Sequence, residues 1–188
     1  VATLMGDSTV ASEADDVREK KPEIALSDAY AVGYAASKWA GEVLLREAHD
    51  LFGLPVNVYR SDMILAHRTY RGQLNAPDMF ARLLFSMAMT GLAPNSFYEL
   101  GPDGARQRAH YDGLPVDFTA QVMVELGLRS HNDFRSFNVM NYHHDDGASL
   151  DVIADWVASA GYPLERVDHA AWIERFEQKI PALPEHHK

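Results

Sequence analysis

Residues 34–65 read YAASKWAGEVLLREAHDLFGLPVNVYRSDMIL, a helical pattern followed directly by a strand pattern. Apolar residues recur three and four positions apart in the first part, which predicts a helix over 34–52 with one buried face. Gly53 and Pro55 end this helix, because proline cannot continue it. The apolar and β-branched stretch 56–65 predicts a strand. The predicted buried face comprises Ala36, Trp39, Ala40, Val43, Leu44, Ala48 and Leu51.

A second helix-to-strand unit lies further along the chain. Pro115 precedes an amphipathic helix predicted over 116–126, Gly127 is its predicted end, and a strand follows at 136–140. Because a helix that connects two strands of one sheet favours parallel pairing, both units predict an α/β fold. The other predicted elements are helices over 79–90, 150–160 and 170–180, a strand over 164–167, and loops in most of 67–113.

The composition excludes several classes of protein. Seventeen Lys and Arg residues against 27 Asp and Glu residues give a net charge of −10, which argues against a general binder of nucleic acid or anionic membranes. The absence of cysteine excludes disulfides, Cys-ligated metal sites and thiol nucleophiles. No apolar run reaches the roughly 20 residues that span a bilayer. We therefore expect a soluble, cytoplasmic protein.

Tyr34 and Lys38 are the candidate catalytic residues. They are four positions apart on the predicted helix, so their side chains share one face. A nearby ammonium group favours the ionised form of a phenol, which lets a phenol take part in acid–base chemistry near neutral pH. Thr3, in an upstream strand-like stretch, adds a hydroxyl group to this set. The structural alternative is that Tyr34 and Lys38 are two exposed helix residues without a catalytic role.

Several blocks of the sequence resemble known proteins. Val1-Ala2-Thr3, the block 33–42 and the strand end 58–60 are similar to the extended short-chain dehydrogenase/reductase superfamily. The longer blocks resemble the C-terminal reductase domain of carboxylic acid reductases and the thioester reductase modules of nonribosomal peptide synthetases, from Thr3 to about Pro184. These blocks are YAASKWAGEVLLREA, GLPVNVYRSDMILA, LNAPDMFARLL, SFYELG, ARQRAHYDGLPVDF and FNVMNYHHDDGASLDVIADWV.

The resemblance implies a reaction and its residues. It implies NADPH-dependent reduction of an acyl thioester, held on the phosphopantetheine arm of an acyl-carrier (thiolation) domain, to an aldehyde. Tyr34 would donate to the carbonyl oxygen as the hydride arrives, Thr3 would hold the same oxygen, and Lys38 would hold the nicotinamide ribose. One preorganised donor to an oxyanion typically contributes about 10²–10³ in rate. Cofactor contacts are implied for Tyr34, Lys38, Asp62, Met63 and Ile64.

The resemblance also implies a division of the chain. Residues 1–66 and 114–141 would form the C-terminal part of a Rossmann-type, doubly wound parallel sheet that binds NADP. Residues 67–113 and 142–188 would form a small, mostly helical substrate-binding region. The glycine-rich turn that receives a dinucleotide pyrophosphate is missing, and the sequence opens on Val1. We therefore expect an N-terminally truncated chain that is inactive alone, with carrier and adenylation domains as partners in the parent polypeptide.

Asp62 departs from the common pattern of the extended superfamily. Many members have Arg-Pro after the strand that follows the catalytic helix, whereas this chain has Arg60-Ser61-Asp62. The carboxylic acid reductase branch shares the acid. We hypothesise that Asp62 controls how the nicotinamide docks. The structural alternative is a strand-end carboxylate that caps a turn.

Two polar clusters remain. Arg106 and Arg108, followed by His110, form a basic run that is a candidate contact for the pantetheine phosphate or an acidic carrier surface, with a solvated loop as the alternative. The run 143–146, HHDD, invites a metal ion, but adjacent side chains rarely converge on one ion. We therefore predict a polar turn there and no metal site.

Two other functions stay open on the sequence. A nucleotide-sugar epimerase or dehydratase of the same superfamily would share Tyr34 and Lys38, but would convert its substrate without net consumption of NADPH. A noncatalytic module would dock carrier domains or sense the dinucleotide ratio, and replacing Tyr34 would leave turnover unchanged. No Gly-x-Ser-x-Gly motif is present, so hydrolysis by a serine nucleophile is not favoured.

Overall fold

The computed structural model describes residues 12–19, 32–72, 75, 77–111, 113–129, 132–141, 148–179 and 181. The described helices are α1 (Val32–Phe52), α2 (Met79–Thr90), α3 (Val116–Arg129), α4 (Leu150–Ser159) and α5 (His169–Lys179). The described strands are β1 (Val56–Ser61), β2 (Met63–Leu65), β3 (Leu92–Pro94), β4 (Gly113–Pro115), β5 (Phe134–Val139) and β6 (Glu165–Val167). The chain divides into unit 1 (Val1–Arg68 and Gly113–Asn141) and unit 2 (Thr69–Asp112 and Tyr142–Lys188). No helix among the described residues is both long and apolar enough to cross a membrane.

Unit 1 contains two parallel strand pairs. β1 pairs with β5 from Val56 opposite Phe134 to Ser61 opposite Val139. β2 pairs in the same way with β4. Each of the longer strands follows a helix, α1 before β1 and α3 before β5. This alternation of helices with parallel strands confirms the predicted α/β fold.

The predicted strand 56–65 is two strands, because the chain changes its partner at Asp62. The Asp62 backbone N–H donates to the carbonyl oxygen of Val139 at 3.3 Å, which completes the ladder of β1 and β5. A carboxylate oxygen of Asp62 accepts from the Asn141 N–H at 2.7 Å. From Met63 onward the chain pairs with β4 instead. Asp62 therefore marks the point where one parallel pair ends and the next begins.

The predicted end of α3 at Gly127 is wrong, since the helix continues to Arg129. Tyr59 of β1 explains this glycine. Its hydroxyl donates to the carbonyl oxygen of Met123 at 2.9 Å, and its ring stacks on Phe137 with the centroids 5.5 Å apart. A Cβ atom at Gly127 would lie 3.1 Å from that hydroxyl. The glycine therefore leaves room for a side chain from the sheet.

The buried face of α1 also differs from the apolar face that the sequence predicts. Leu44 and Leu51 are 69% and 70% exposed. Glu42 is buried instead, because its carboxylate pairs with Arg60 of β1. Arg46 is half-buried and lies over the Phe134 ring at 4.4 Å. On the face of α1 towards the sheet, Glu42 and Arg46 are therefore buried or half-buried through their contacts with Arg60 and Phe134, whereas Leu44 and Leu51 are exposed.

Unit 2 is organised around α2 and α4. Asp78 caps α2 by accepting from the N–H groups of Phe80 and Ala81, and Gly91 ends it with φ of 65°, a conformation that favours glycine. The buried core is formed by Met87, Ala93 and Ala154. The sequence did not predict β3, which pairs in parallel with β6.

A buried carboxylate ties the segment after β3 to α4. Asp151 is 1% exposed. Its two oxygens accept from the Ser96 hydroxyl at 2.7 Å and from the Phe97 N–H at 2.8 Å. Hydrogen bonds of this kind offset the cost of burying a charged group.

We expect Gly113→Ala to destabilise unit 1, because a Cβ atom there would overlap the carbonyl group of Met63 in the neighbouring strand. The expected loss in the free energy of unfolding is about 2–3 kcal/mol, as for overpacked sites generally. Gly41→Ala is the matched control, because a Cβ on this helical glycine meets nothing within 4 Å. We expect the control to gain about 0.5–1 kcal/mol from helix propensity. Urea unfolding measures both, and equal stabilities would contradict the packing assigned to Gly113.

Candidate functional site

The structure brings Tyr34 and Lys38 together on α1. The Lys38 ammonium lies 5.2 Å from the centroid of the Tyr34 ring. Both side chains are exposed, Tyr34 by 68%. The Ser37 hydroxyl donates to the Tyr34 carbonyl oxygen at 2.7 Å, within the same turn. A phenol and an ammonium group are thus held next to each other where a ligand can reach both.

One turn beyond Lys38, the helix carries a carboxylate that the sequence analysis missed. Glu42 is 5% exposed and accepts from two nitrogens of Arg60, Nη2 on one oxygen and Nε on the other at 3.2 Å. Arg60 Nη1 also donates to the Ser12 carbonyl oxygen at 2.9 Å, and Nη2 lies 3.5 Å from the Ser136 hydroxyl. One guanidinium therefore joins α1, β1, β5 and the segment 12–19. The available signal was an acidic residue four positions after Lys38.

The segment 12–19 is held against α1 and β5. The Val17 side chain is 2% exposed, and its carbonyl oxygen accepts from the Trp39 indole N–H at 3.0 Å. Glu13 accepts from the Asn138 N–H of β5 at 2.8 Å. The segment 12–19 therefore packs on the helix that carries the candidate residues.

Ion pairs reinforce the same contact. Arg18 pairs with Asp16 at 2.6 Å and reaches across to Glu47 at 2.6 Å and Asp50 at 2.8 Å on α1. The hydrogen bond from the Arg18 guanidinium lowers the pKa of the Asp16 carboxyl to about 2. The same bond raises the pKa of Arg18. Both groups are therefore held in their charged forms at neutral pH.

Asp62, Met63 and Ile64 follow the carboxyl end of β1 in the same unit. Asp62 holds the Asn141 N–H, which follows β5, as described above. Met63 is half-buried and Ile64 is exposed. Open α/β sheets bind ligands at the carboxyl ends of their strands. The contacts of these three residues with a cofactor remain predictions.

Arg106 and Arg108 lie in unit 2, where Arg106 has internal partners. Its guanidinium pairs with Asp155 at 2.6 Å, donates to the Asn95 carbonyl oxygen at 3.2 Å and lies 3.9 Å from Asp151. Arg106 therefore helps to join the segment after β3 to α4. Both arginines remain exposed. Their contact with a carrier domain remains a prediction.

Two predictions fall outside the described residues. These are the candidate residue Thr3 and the polar turn predicted at 143–146. Within the part of the chain that the structure describes, no group of three or more His, Asp or Glu side chains is arranged to hold a metal ion.

We expect Asp16→Asn to lower the free energy of unfolding at about pH 6 but to have less effect at about pH 3. The pKa of Asp16 is about 2 in the folded chain against an ordinary 3.8, so its contribution to stability is present above pH 3.8 and is lost as the pH falls towards 2. For a partly exposed ion pair the expected loss is about 1 kcal/mol. Urea unfolding at the two pH values measures the difference. An equal effect at both would contradict the lowered pKa.

Comparisons with known proteins match the chain to a family model and to parts of much longer proteins. Residues 3–123 match a model of an NAD-binding family described as "Male sterility protein". The chain is 54% identical to a carboxylic acid reductase from Segniliparus rugosus over 98% of this chain and 16% of that protein. It is 50% identical to an isonitrile lipopeptide synthase from Mycobacterium tuberculosis over 93% of this chain and 7% of that protein. The chain thus spans less than a fifth of the length of these relatives.

A crystal structure matches the same region. The chain resembles the reductase (R) domain of a nonribosomal peptide synthetase from Mycobacterium tuberculosis, with a TM-score of 0.85 and 49% sequence identity. The match covers 94% of this chain and 42% of that chain. Sequence and structure therefore both confirm the resemblance predicted from the sequence blocks.

Proposed function

The chain belongs to the NAD-binding family described as "Male sterility protein", and from this membership we propose that it is part of a thioester reductase of the carboxylic acid reductase type. The reaction is the NADPH-dependent reduction of an acyl thioester, carried on phosphopantetheine, to an aldehyde. The observation that carries the proposal is the exposed pair of Tyr34 and Lys38 on α1, in a chain that is 54% identical to a carboxylic acid reductase. Relatives named as reductases support an oxidoreductase over an epimerase or a noncatalytic module.

The residues of unit 1 fit a nicotinamide dinucleotide. Lys38 offers an ammonium group and Tyr34 a hydroxyl, and both types of donor suit the hydroxyl groups of a ribose. The carboxyl ends of β1 and β5, where such ligands bind in α/β sheets, lie at Ser61 and Val139 of the same unit. When bound, the dinucleotide supplies the hydride that reduces the acyl carbon.

Tyr34 acts as the acid in the proposed reaction. Its hydroxyl donates to the acyl carbonyl oxygen and passes its proton to that oxygen as negative charge develops there. The Lys38 ammonium, 5.2 Å from the ring centroid, balances the charge that Tyr34 gains. The resulting hemithioacetal loses its hydroxyl proton, its C–S bond breaks, and the sulfur takes a proton. The products are one aldehyde and one free thiol.

The substrate arrives on another domain of the parent polypeptide. The matched relatives are far longer than this chain, which leaves room for carrier and adenylation domains. We propose that Arg108, together with the exposed part of Arg106, contacts the pantetheine phosphate or the acidic surface of the carrier.

We expect Tyr34→Phe to lower kcat for aldehyde formation by about 10²–10³, because it removes one donor to the developing oxyanion. NADPH absorbance is followed with an acyl-phosphopantetheine thioester and the full natural polypeptide, and mass spectrometry identifies the product. NADPH affinity is expected to change by less than about tenfold, because one neutral hydrogen bond contributes only about 0.5–1.5 kcal/mol. Tyr162→Phe is the matched control, since it removes another exposed tyrosine hydroxyl, in unit 2.

Two results would contradict the proposed function. A native polypeptide that binds NADPH but forms no aldehyde is not a thioester reductase. Conversion of a substrate without net NADPH consumption would favour an epimerase or dehydratase. Unchanged turnover in Tyr34→Phe would mean that Tyr34 is not the acid.

We expect Asp62→Gly to raise the ratio of alcohol to aldehyde. We propose that Asp62, whose carboxylate holds the Asn141 N–H next to the strand ends, restricts how the nicotinamide docks and so disfavours a second reduction. Asp133→Gly is the matched control, because Asp133 precedes β5 at the opposite end of the strand. Gas chromatography of the products measures the ratio. An unchanged ratio would leave Asp62 with only its structural role at the strand end.

A further inference from the structure

Three polar side chains follow one another along α1 at intervals of four residues. Tyr34 and Lys38 are exposed, whereas Glu42 is buried against Arg60 of β1. Residues four apart lie on the same side of a helix, one turn from each other. Tyr34, Lys38 and Glu42 therefore lie one after another along α1. Of the three, Glu42 is fixed to the sheet through Arg60.

Arg60 is itself fixed from three sides. Besides Glu42, its guanidinium donates to the Ser12 carbonyl oxygen and lies within 3.5 Å of the Ser136 hydroxyl of β5. It is the last residue but one of β1, directly before Ser61 and the strand end. The position of the Glu42 carboxylate is therefore tied to the same strand ends that we propose for cofactor binding.

A buried pair of guanidinium and carboxylate groups fixes the orientation of a helix more effectively than it raises the free energy of unfolding. Replacing a buried ion pair by well-packed apolar residues is often neutral or stabilising. Two parallel N–H···O bonds, however, fix direction as well as distance, which apolar packing does not. Leu44 and Leu51, which could have anchored α1 by packing, are exposed. The pair of Glu42 and Arg60 therefore helps to set the rotation of α1 about its own axis, together with the contacts of Trp39 and Arg46.

We infer that Glu42 and Arg60 are positioning residues that hold Tyr34 and Lys38 in register with the carboxyl ends of β1 and β5. This inference rests on the proposed function and assigns it two further residues. With side chains about 6 Å from the helix axis, a rotation of about 20° would displace them by about 2 Å. A misplacement of about 1 Å can cost about 10²-fold in rate. Neither residue contacts the substrate in this role.

A double-mutant cycle in the full natural polypeptide tests the inference. The variants are Glu42→Gln, Tyr34→Phe and the two combined, and kcat for aldehyde formation is expressed per NADPH-binding site so that unfolded protein does not count. We expect Glu42→Gln to lower kcat by about 10–100-fold when Tyr34 is present. In the Tyr34→Phe background we expect less than about a threefold loss, because the hydroxyl to be positioned is already gone and only Lys38 remains.

Two further variants separate geometry from charge. Arg60→Lys keeps the positive charge but lacks the planar fork, so we expect it to lose nearly as much activity as Glu42→Gln. Glu47→Gln removes another α1 carboxylate, one that pairs with Arg18, and we expect it to change kcat by less than about twofold. If Glu42→Gln fails to fold, Arg60→Lys takes its place in the double-mutant cycle.

The outcomes distinguish this inference from the proposed function. Equal losses from Glu42→Gln in both backgrounds would overturn the inference and leave the reductase assignment intact. If the native polypeptide reduces no thioester, the proposed function fails, and amide hydrogen exchange decides the inference. Faster exchange over residues 33–38 in Glu42→Gln than in Glu47→Gln would support positioning, and equal exchange would overturn it.

Discussion

The buried pair of Glu42 and Arg60 is the interaction on which unit 1 depends. Removing one partner of such a pair generally costs about 3–5 kcal/mol, because the other charge is left buried without compensation. Arg60 also holds the Ser12 carbonyl oxygen and approaches Ser136, so the same guanidinium orders the segment 12–19 and links both strands of the longer pair. α1 can lie on the sheet in few other ways without breaking several of these contacts at once. The location of Tyr34 follows from that restriction.

Local chemistry made most of the fold predictable. The bounds of α2 agree with the prediction because Asp78 caps its first turn and Gly91 ends it in a left-handed conformation. The errors arise where distant residues intervene. Gly127 lies within α3 and not at its end, and its missing side chain leaves room for the Tyr59 hydroxyl. The strand 56–65 divides at Asp62 because β1 and β2 have different partner strands, which no periodicity in the segment itself records.

The candidate site shows the same division between local and distant causes. The contact of Tyr34 with Lys38 joins residues one helical turn apart, so their spacing alone was enough to predict it. The apolar pattern of α1, in contrast, was wrong for Ala40, Leu44 and Leu51, which are exposed. It also missed Glu42, because burial of this residue depends on an arginine in the next strand. The basic run around Arg106 could not be interpreted without Asp155, which lies far along the sequence on α4.

Within each unit, the described residues combine apolar packing with buried hydrogen bonds. In unit 2 the buried side chains include Met87, Leu92 and Ile153, and the buried Asp151 carboxylate accepts hydrogen bonds from Ser96 and Phe97. In unit 1 the buried apolar residues are mostly small, and the hydrogen bonds of Glu42, Arg60 and Tyr59 span the helices and strands. Apolar contacts tolerate small rotations, whereas hydrogen bonds weaken steeply once their geometry departs from linear. A unit for which we propose that it places an acid to within about 1 Å of its target is better served by hydrogen bonds.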